Sequence, residues 1–165
     1  SITVTLGATA ATANYYTNGV IAVNDVTGEG QTFTVLSHPA ADASATLTLQ
    51  ILADEPVVTA LTTSSQATLI PNQYSGTIIH ATTETGIPVG VAVTALTASY
   101  YGWLQTRGPV ACLANGTTAV GDSVSASDTT TAGGYEISDG ILAPIGYALS
   151  VGVATEFNPI FLTLN

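Results

Sequence analysis

Two histidines, eleven carboxylates, one thiol and one guanidinium are the side chains from which this chain must draw any ionic chemistry. His38 precedes a proline at the end of an alternating run, and His80 ends an apolar one. A serine nucleophile needs a base held beside it, and no Gly-x-Ser-x-Gly elbow is present to position one. Both histidines therefore read as structural. Asp54 and Glu55 are adjacent, and neighbours on a strand face opposite sides, which makes them a poor acid/base pair. A solvated turn before Pro56 accounts for them better. Asp25 and Glu29 lie among glycines and offer oxygen ligands, but they lack the alternate acids and distal Glu of a calcium loop. Gly28-Glu29-Gly30 lacks the spacing and the lysine of a phosphate loop, and Glu29 would repel phosphate. Cys112 has no partner for an internal bridge, and no Cys/His spacing suggests zinc, so it reads as a small buried side chain. Asn115-Gly116-Thr117 fits the acceptor pattern for N-glycosylation, but without a sign of secretion it reads as a hairpin turn. No catalytic residue, metal ligand or cofactor site is expected, and the chain is not read as an enzyme.

Arg107 is the exception. It is the sole basic side chain in a chain of net charge −10. A guanidinium binds a carboxylate through two parallel hydrogen bonds. Arg107 is therefore the candidate interface residue, pairing either with an acid of its own chain or with a neighbouring subunit; the alternative is an exposed Arg capping a strand end.

The elements that must position it read as strands. Thr, Val and Ile are frequent, whereas Glu, Lys and Arg, the usual surface residues of long helices, are scarce. Hydrophobic residues make up 46% and charged residues 7%, the opposite of a disordered composition. Alternation predicts strands at Ser1–Leu6, Gln31–Leu36 and Ala45–Leu52. Shorter runs predict strands at Val20–Val23, Val57–Leu61, Gln66–Ile70, Thr77–Ala81 and Val91–Ala95. Later strands are expected at Val120–Val124, Gly140–Ser150 and Asn158–Leu164. The run Tyr100–Val110 holds the only Trp and is expected to be a buried strand joining two halves, with Gly108-Pro109 as its closing turn. Residues 1–14 are expected as a short strand and an Ala/Thr-rich segment, either a tail or an arm. Residues 15–165 are expected as one domain, with possible lobes 15–98 and 99–165. The fold class expected is all-β, a compact barrel-like or sandwich-like module with little or no helix. Pro88-Val89-Gly90-Val91-Ala92 and Pro144-Ile145-Gly146-Tyr147-Ala148 echo each other faintly, as an old duplication or as two similar corners.

The acidity excludes whole classes of partner. Nucleic-acid binding needs Lys and Arg to neutralise phosphates, and anionic membranes need the same. Neither partner is expected. Every apolar stretch is interrupted well before the ~18 residues of a spanning helix. No basic stretch precedes an apolar one in the manner of a signal peptide. An acidic surface also suits a salty medium, where self-repulsion is screened.

The run Tyr100-Tyr101-Gly102-Trp103-Leu104-Gln105-Thr106-Arg107-Gly108-Pro109 resembles a family of capsid decoration, or cement, proteins of tailed bacteriophages of the marine and cyanobacterial type. The same likeness extends to residues 23–30 (Val-Asn-Asp-Val-Thr-Gly-Glu-Gly), His38-Pro39-Ala40-Ala41 and Leu113-Ala114-Asn115-Gly116-Thr117. Val120-Gly121 and Ile145-Gly146 complete it, so that it runs from about Tyr15 to the end. The resemblance implies a structural virion protein on the exterior of an icosahedral head. It implies the major capsid protein as partner, often a homotrimer, and no cofactor. The alternative reading is a surface-exposed binding module, for example for glycans, with Tyr15, Tyr16, Tyr100, Tyr101 and Trp103 as an aromatic platform.

Overall fold

A computed structural model describes residues 1–164. It contains no helix among them, and its strands form three antiparallel sheets, none closed into a barrel. The fold is all-β. The chain divides into two compact units, Ser1–Gly76 and Thr77 onward. The division falls well upstream of residues 98–99, so the Trp103 run lies inside the second unit and does not join two halves.

The first unit holds β1 (Ile2–Thr5), β2 (Val20–Asp25), β3 (Thr32–Ser37), β4 (Thr46–Ile51) and β5 (Gln66–Ile70), in the order β1-β4-β3-β2-β5. β2, β3 and β4 pair consecutively, and β1, which precedes them in the chain, lies beside β4, a Greek-key arrangement. Period-two alternation does the sorting. Leu47 and Leu49 of β4, Phe33 and Val35 of β3, and Ile21 and Val23 of β2 point into one core with Ile2, Leu6 and Ala11. Of the alternate threonines, Thr32 and Thr46 are exposed and Thr34 and Thr48 half-buried. Leu47, Leu49, Ile21 and Val35 are fully buried, and truncating one to Ala costs about 2–5 kcal/mol in such a setting. The turn into β2 is Asn18-Gly19. Asn18 takes φ 58°, a left-handed geometry that Asn tolerates. Gly19 lies so close to the Ile70 carbonyl that no Cβ fits.

Residues 7–14 are tied to this unit. Ala11 is buried, forms a bridge with Ala41 and exchanges both backbone hydrogen bonds with it, at 2.8 and 2.9 Å. A small side chain was anchor enough, because the backbone supplied the bonds.

The second unit holds β6 (Val91–Ala92), β7 (Leu104–Gln105), β8 (Arg107–Leu113), β9 (Ser123–Ala126), β10 (Tyr135–Ile137), β11 (Pro144–Ala148) and β12 (Phe157–Thr163). β6 and β7 form a two-stranded ribbon, and the rest form a sheet in the order β10-β9-β11-β12-β8. Its core gathers Cys112, Ala114, Val124, Tyr135, Ile145, Ala148, Ile160 and Leu162. Gly146 sits against the Phe161 carbonyl of β12 with no room for a Cβ, and Gly90 is pressed in the same way against Leu104 and Gln105 of β7. The two echoing segments thus share a device, a glycine that lets neighbouring strands close up.

Two runs expected as strands are not. Val57–Leu61 and Thr77–Ala81 form no ladder among the described residues, and Val58, Ile78 and Ile79 are exposed. β-branched residues favour a strand only where a neighbour offers its edge, and none does here. Conversely, β8 runs straight through the Gly108-Pro109 that reads as a turn. It is an edge strand, where a proline's missing N–H costs the ladder nothing.

Candidate interaction surface

The aromatic run is shaped by one glycine and one leucine. Ser99 takes φ 66°, and the Tyr100 N–H bonds the Thr97 carbonyl at 3.2 Å, closing a tight turn. The Leu96 side chain then lies over the Cα of Gly102, where a larger residue would have to push its methyl groups aside. The flanking rings stay in solvent: Tyr100 is 77% exposed, Tyr101 105% and Trp103 84%. This corrects the expected buried strand. The five-stranded sheet begins only at Arg107, so no opposing layer covers the rings before it. β7 itself is just two residues long, held by Val91↔Gln105 and Ala92↔Leu104.

The corner after it is rigid. The Gln105 side-chain amide donates to the Arg107 carbonyl at 3.0 Å and to the Pro109 carbonyl at 2.7 Å, around Gly108 at φ 90°. Arg107 opens β8, is exposed, and lies opposite Thr163 of β12. It makes no ion pair among the described residues. The expected partner within its own chain is therefore not found.

β8 leads into an apolar sheet face. On β12, Phe157, Pro159 and Phe161 alternate outward with the buried Asn158, Ile160 and Leu162. Ala111 and Pro109 stand opposite Pro159 and Phe161 on one side, and Tyr147 stands opposite Phe161 on the other. Residues sharing a register position share a face. The result is an exposed patch bearing two phenyl rings and a phenol, with Arg107 at the end of its edge strand. Residues 85–121, 140–155 and 157–164 contain no Asp or Glu. Four of the five strands of this sheet, β8, β9, β11 and β12, are free of negative charge in a chain carrying eleven acids.

No family model, curated protein or solved structure matches this chain.

The remaining sequence candidates are placed as follows. His38 is buried; its Nε2 accepts the Tyr16 N–H at 3.0 Å and its Nδ1 donates to the Pro39 carbonyl at 2.7 Å. It braces the turn into β2. His80 lies in the second unit, where its carbonyl accepts the Gly133 N–H at 2.9 Å. No serine hydroxyl bonds to either ring. Glu55 accepts both the N–H and the hydroxyl of Thr34 on β3, while Asp54 is exposed, so the adjacent carboxylates part company. Asp25 caps the next residue, its Oδ1 accepting the Val26 N–H at 2.8 Å, and Glu29 faces solvent. Among the described residues no group of three His, Cys, Asp or Glu side chains is placed to hold a metal ion. Cys112 is buried in the second core, and that burial pushes its thiol above the ordinary range.

Asn115 has a role that the glycosylation pattern did not reveal. Its amide nitrogen donates to Glu136 at 2.9 Å and to Thr129 at 2.6 Å, and its oxygen accepts from the hydroxyls of Thr130 and Thr131, both at 3.0 Å. Glu136 also accepts from the hydroxyls of Ser127 and Thr129 and from the Asp128 N–H. Burial raises the Glu136 carboxyl, but bonds from the Asp128 N–H, Thr129 and Asn115 together outweigh it and hold the group below its ordinary value. The Asp128 carboxyl moves the other way. Its hydrogen bond to Glu136 raises it most, followed by burial and by the charges of Glu136 and Asp139. The network pins residues 128–131, the first part of a loop rich in Thr, Ala and Gly.

Proposed function

We propose that this protein is a structural component of a virion. It docks on the outer surface of an icosahedral phage head and stabilises the shell, with the major capsid protein as its partner and a homotrimer as its working form. The observation that carries this reading is the exposure of Tyr100, Tyr101 and Trp103 next to Arg107, on an acid-free stretch backed by a rigid corner. Trp, Tyr and Arg are the residue types that anchor protein interfaces most often. The same residues carry the resemblance to decoration proteins. Many copies on a repeating shell gain avidity without strong single contacts, which suits a small anchor set. No chemical step is assigned to the protein.

The test is reconstitution on heads stripped of the protein. Wild-type protein is expected to bind saturably and to raise the temperature at which heads open. Trp103→Ala is expected to bind at least tenfold more weakly. Heads that open at the same temperature with and without bound protein would overturn the reading.

Trp103 and Tyr101 in solvent also favour a second reading, a glycan-binding module in which the rings stack on sugar faces. Tyr15 and Tyr16 belong to the first unit, where they meet edge-to-face with centroids 4.9 Å apart. A glycan array with no hits, and Trp fluorescence indifferent to sugars, would remove this alternative.

A further inference from the structure

The first sheet ends on β1 at one side and on β5 at the other, and these two strands are not paired with each other. Yet both line one cleft of about 300 Å³, with Val4–Leu6 on one wall, Ala67–Leu69 on the other, and Tyr16 and Ile21 between them. A second cleft of about 290 Å³ shares Thr9, Tyr16 and Leu69 and extends the groove towards Pro71. The sheet has curved until its two ends face each other across a slot.

Three observations describe what belongs there. The first is the backbone. An edge strand presents a row of N–H and C=O groups with no ladder partner, and here residues of both edge strands line the same cleft. The second is burial. Val4 stands opposite Leu47, Leu69 opposite Ile21, and Ala67 opposite Val23, so all three point towards the core. Their partners are buried to 0–3% exposure, whereas Val4 and Leu69 are only half-buried and Ala67 is exposed. The core is left open along the slot. The third is charge. No charged side chain lines either cleft, although the chain carries −10 overall.

We propose that the slot between β1 and β5 is a strand acceptor, which takes an extended segment of a protein partner as an added strand. The segment would bond to both edges through its backbone and turn small or β-branched apolar residues towards Val4, Ile21 and Ala67 on alternate positions. It would carry no acid. β5 spans five residues, so a donor of about five or six residues, a common strand length, fills the slot. The donor is a partner and not a second copy, because the strand-like runs of this chain are already held: β1, β3, β4 and β12 in their own sheets, Val57–Leu61 by the Gln31 side chain, and Thr77–Ala81 by the buried His80 ring and the Gly133 N–H on its carbonyl. The inference goes beyond the docking proposed for residues 100–107 and stands without it.

Hydrogen exchange on the full chain tests it. The probe is a capped synthetic peptide, Thr-Val-Thr-Val-Thr-Val-Lys, at millimolar concentration. Amides of both Ile2–Thr5 and Gln66–Ile70 are expected to exchange at least about tenfold more slowly with the peptide present. A peptide with proline at its centre, lacking the ladder N–H, is expected to give no slowing. Ala67→Phe changes an exposed residue that faces the slot, so it is expected to leave the melting temperature unchanged and abolish the protection. Slowing at only one edge, at neither, or equally with the proline peptide overturns the proposal. So does a dimer in which both edges are protected without peptide, because the occupant is then a second copy.

Discussion

Trp103 and Leu49 show how little residue type alone decides. Both are large and apolar; one is 84% exposed and the other fully buried. Leu49 sits in a strand with layers to pack against, and Trp103 sits before the sheet begins. Trp103→Ala is therefore expected to change stability by no more than about 0.5 kcal/mol, whereas Leu49→Ala is expected to cost about 2–5 kcal/mol. Urea denaturation of the two variants measures the difference directly. A Trp103 variant destabilised as much as the leucine one would mean that the ring is packed. Cys112 gives a second residue-scale expectation. Burial both hides its thiol and disfavours the thiolate, which is the reactive form. A thiol reagent should label it only as the protein unfolds. Rapid labelling at neutral pH without denaturant would contradict the burial.

At the scale of elements, residues 128–131 depend on the carboxylate of Glu136 and on Asn115 beside it. Its folded-state pKa is depressed, so its contribution to stability is fully present above its unfolded value. That contribution is lost as pH falls through the folded value, in the acid range below about pH 4.3. Asp128 is raised and acts in the opposite sense: its contribution is present at low pH and lost as pH rises through its folded pKa. Acidification should therefore loosen the loop through Glu136 while Asp128 partly compensates. Glu136→Gln is expected to cost about 1 kcal/mol at pH 7 and to flatten the acid limb of the stability curve. An unchanged limb would place the acid sensitivity elsewhere. The network itself was not legible in the sequence, because Asn115 meets Thr129–Thr131 and Glu136 only through folding. What was legible was local. β1, β3 and β4 alternate cleanly and face a core on one side only, so their period survives in the sequence. β8 was hidden by Gly108-Pro109, since only sheet order reveals an edge that tolerates proline. Val57–Leu61 and Thr77–Ala81 carry strand composition without a strand to pair with, and sheet partners are not written locally. Arg107 stands out in the sequence as the lone cation, whereas the corner that carries it is held by Gln105, which carried no signal.

At the scale of the whole molecule, charge is segregated. Eleven acids are spread over both units, five in the first and six in the second, yet residues 85–121 hold none and include the one cation. Self-repulsion among the acids destabilises the folded state and is screened by salt, with a Debye length near 30 Å at 0.01 M and about 3 Å at 1 M. The melting temperature is therefore expected to rise as NaCl increases from 10 mM to 0.5 M, as followed by circular dichroism. The docking proposed above should respond differently. If the contact runs through Tyr100–Arg107 and the apolar face of β12, few opposite charges meet, and affinity for heads should be nearly flat over the same salt range. A contact made by the acids on a basic partner would weaken steeply with salt, as every charge-neutralising association does. Measuring both curves on one preparation separates the two arrangements. A steep loss of binding beside a rising melting temperature would move the docking surface off the acid-free strands and onto the acidic remainder of the molecule.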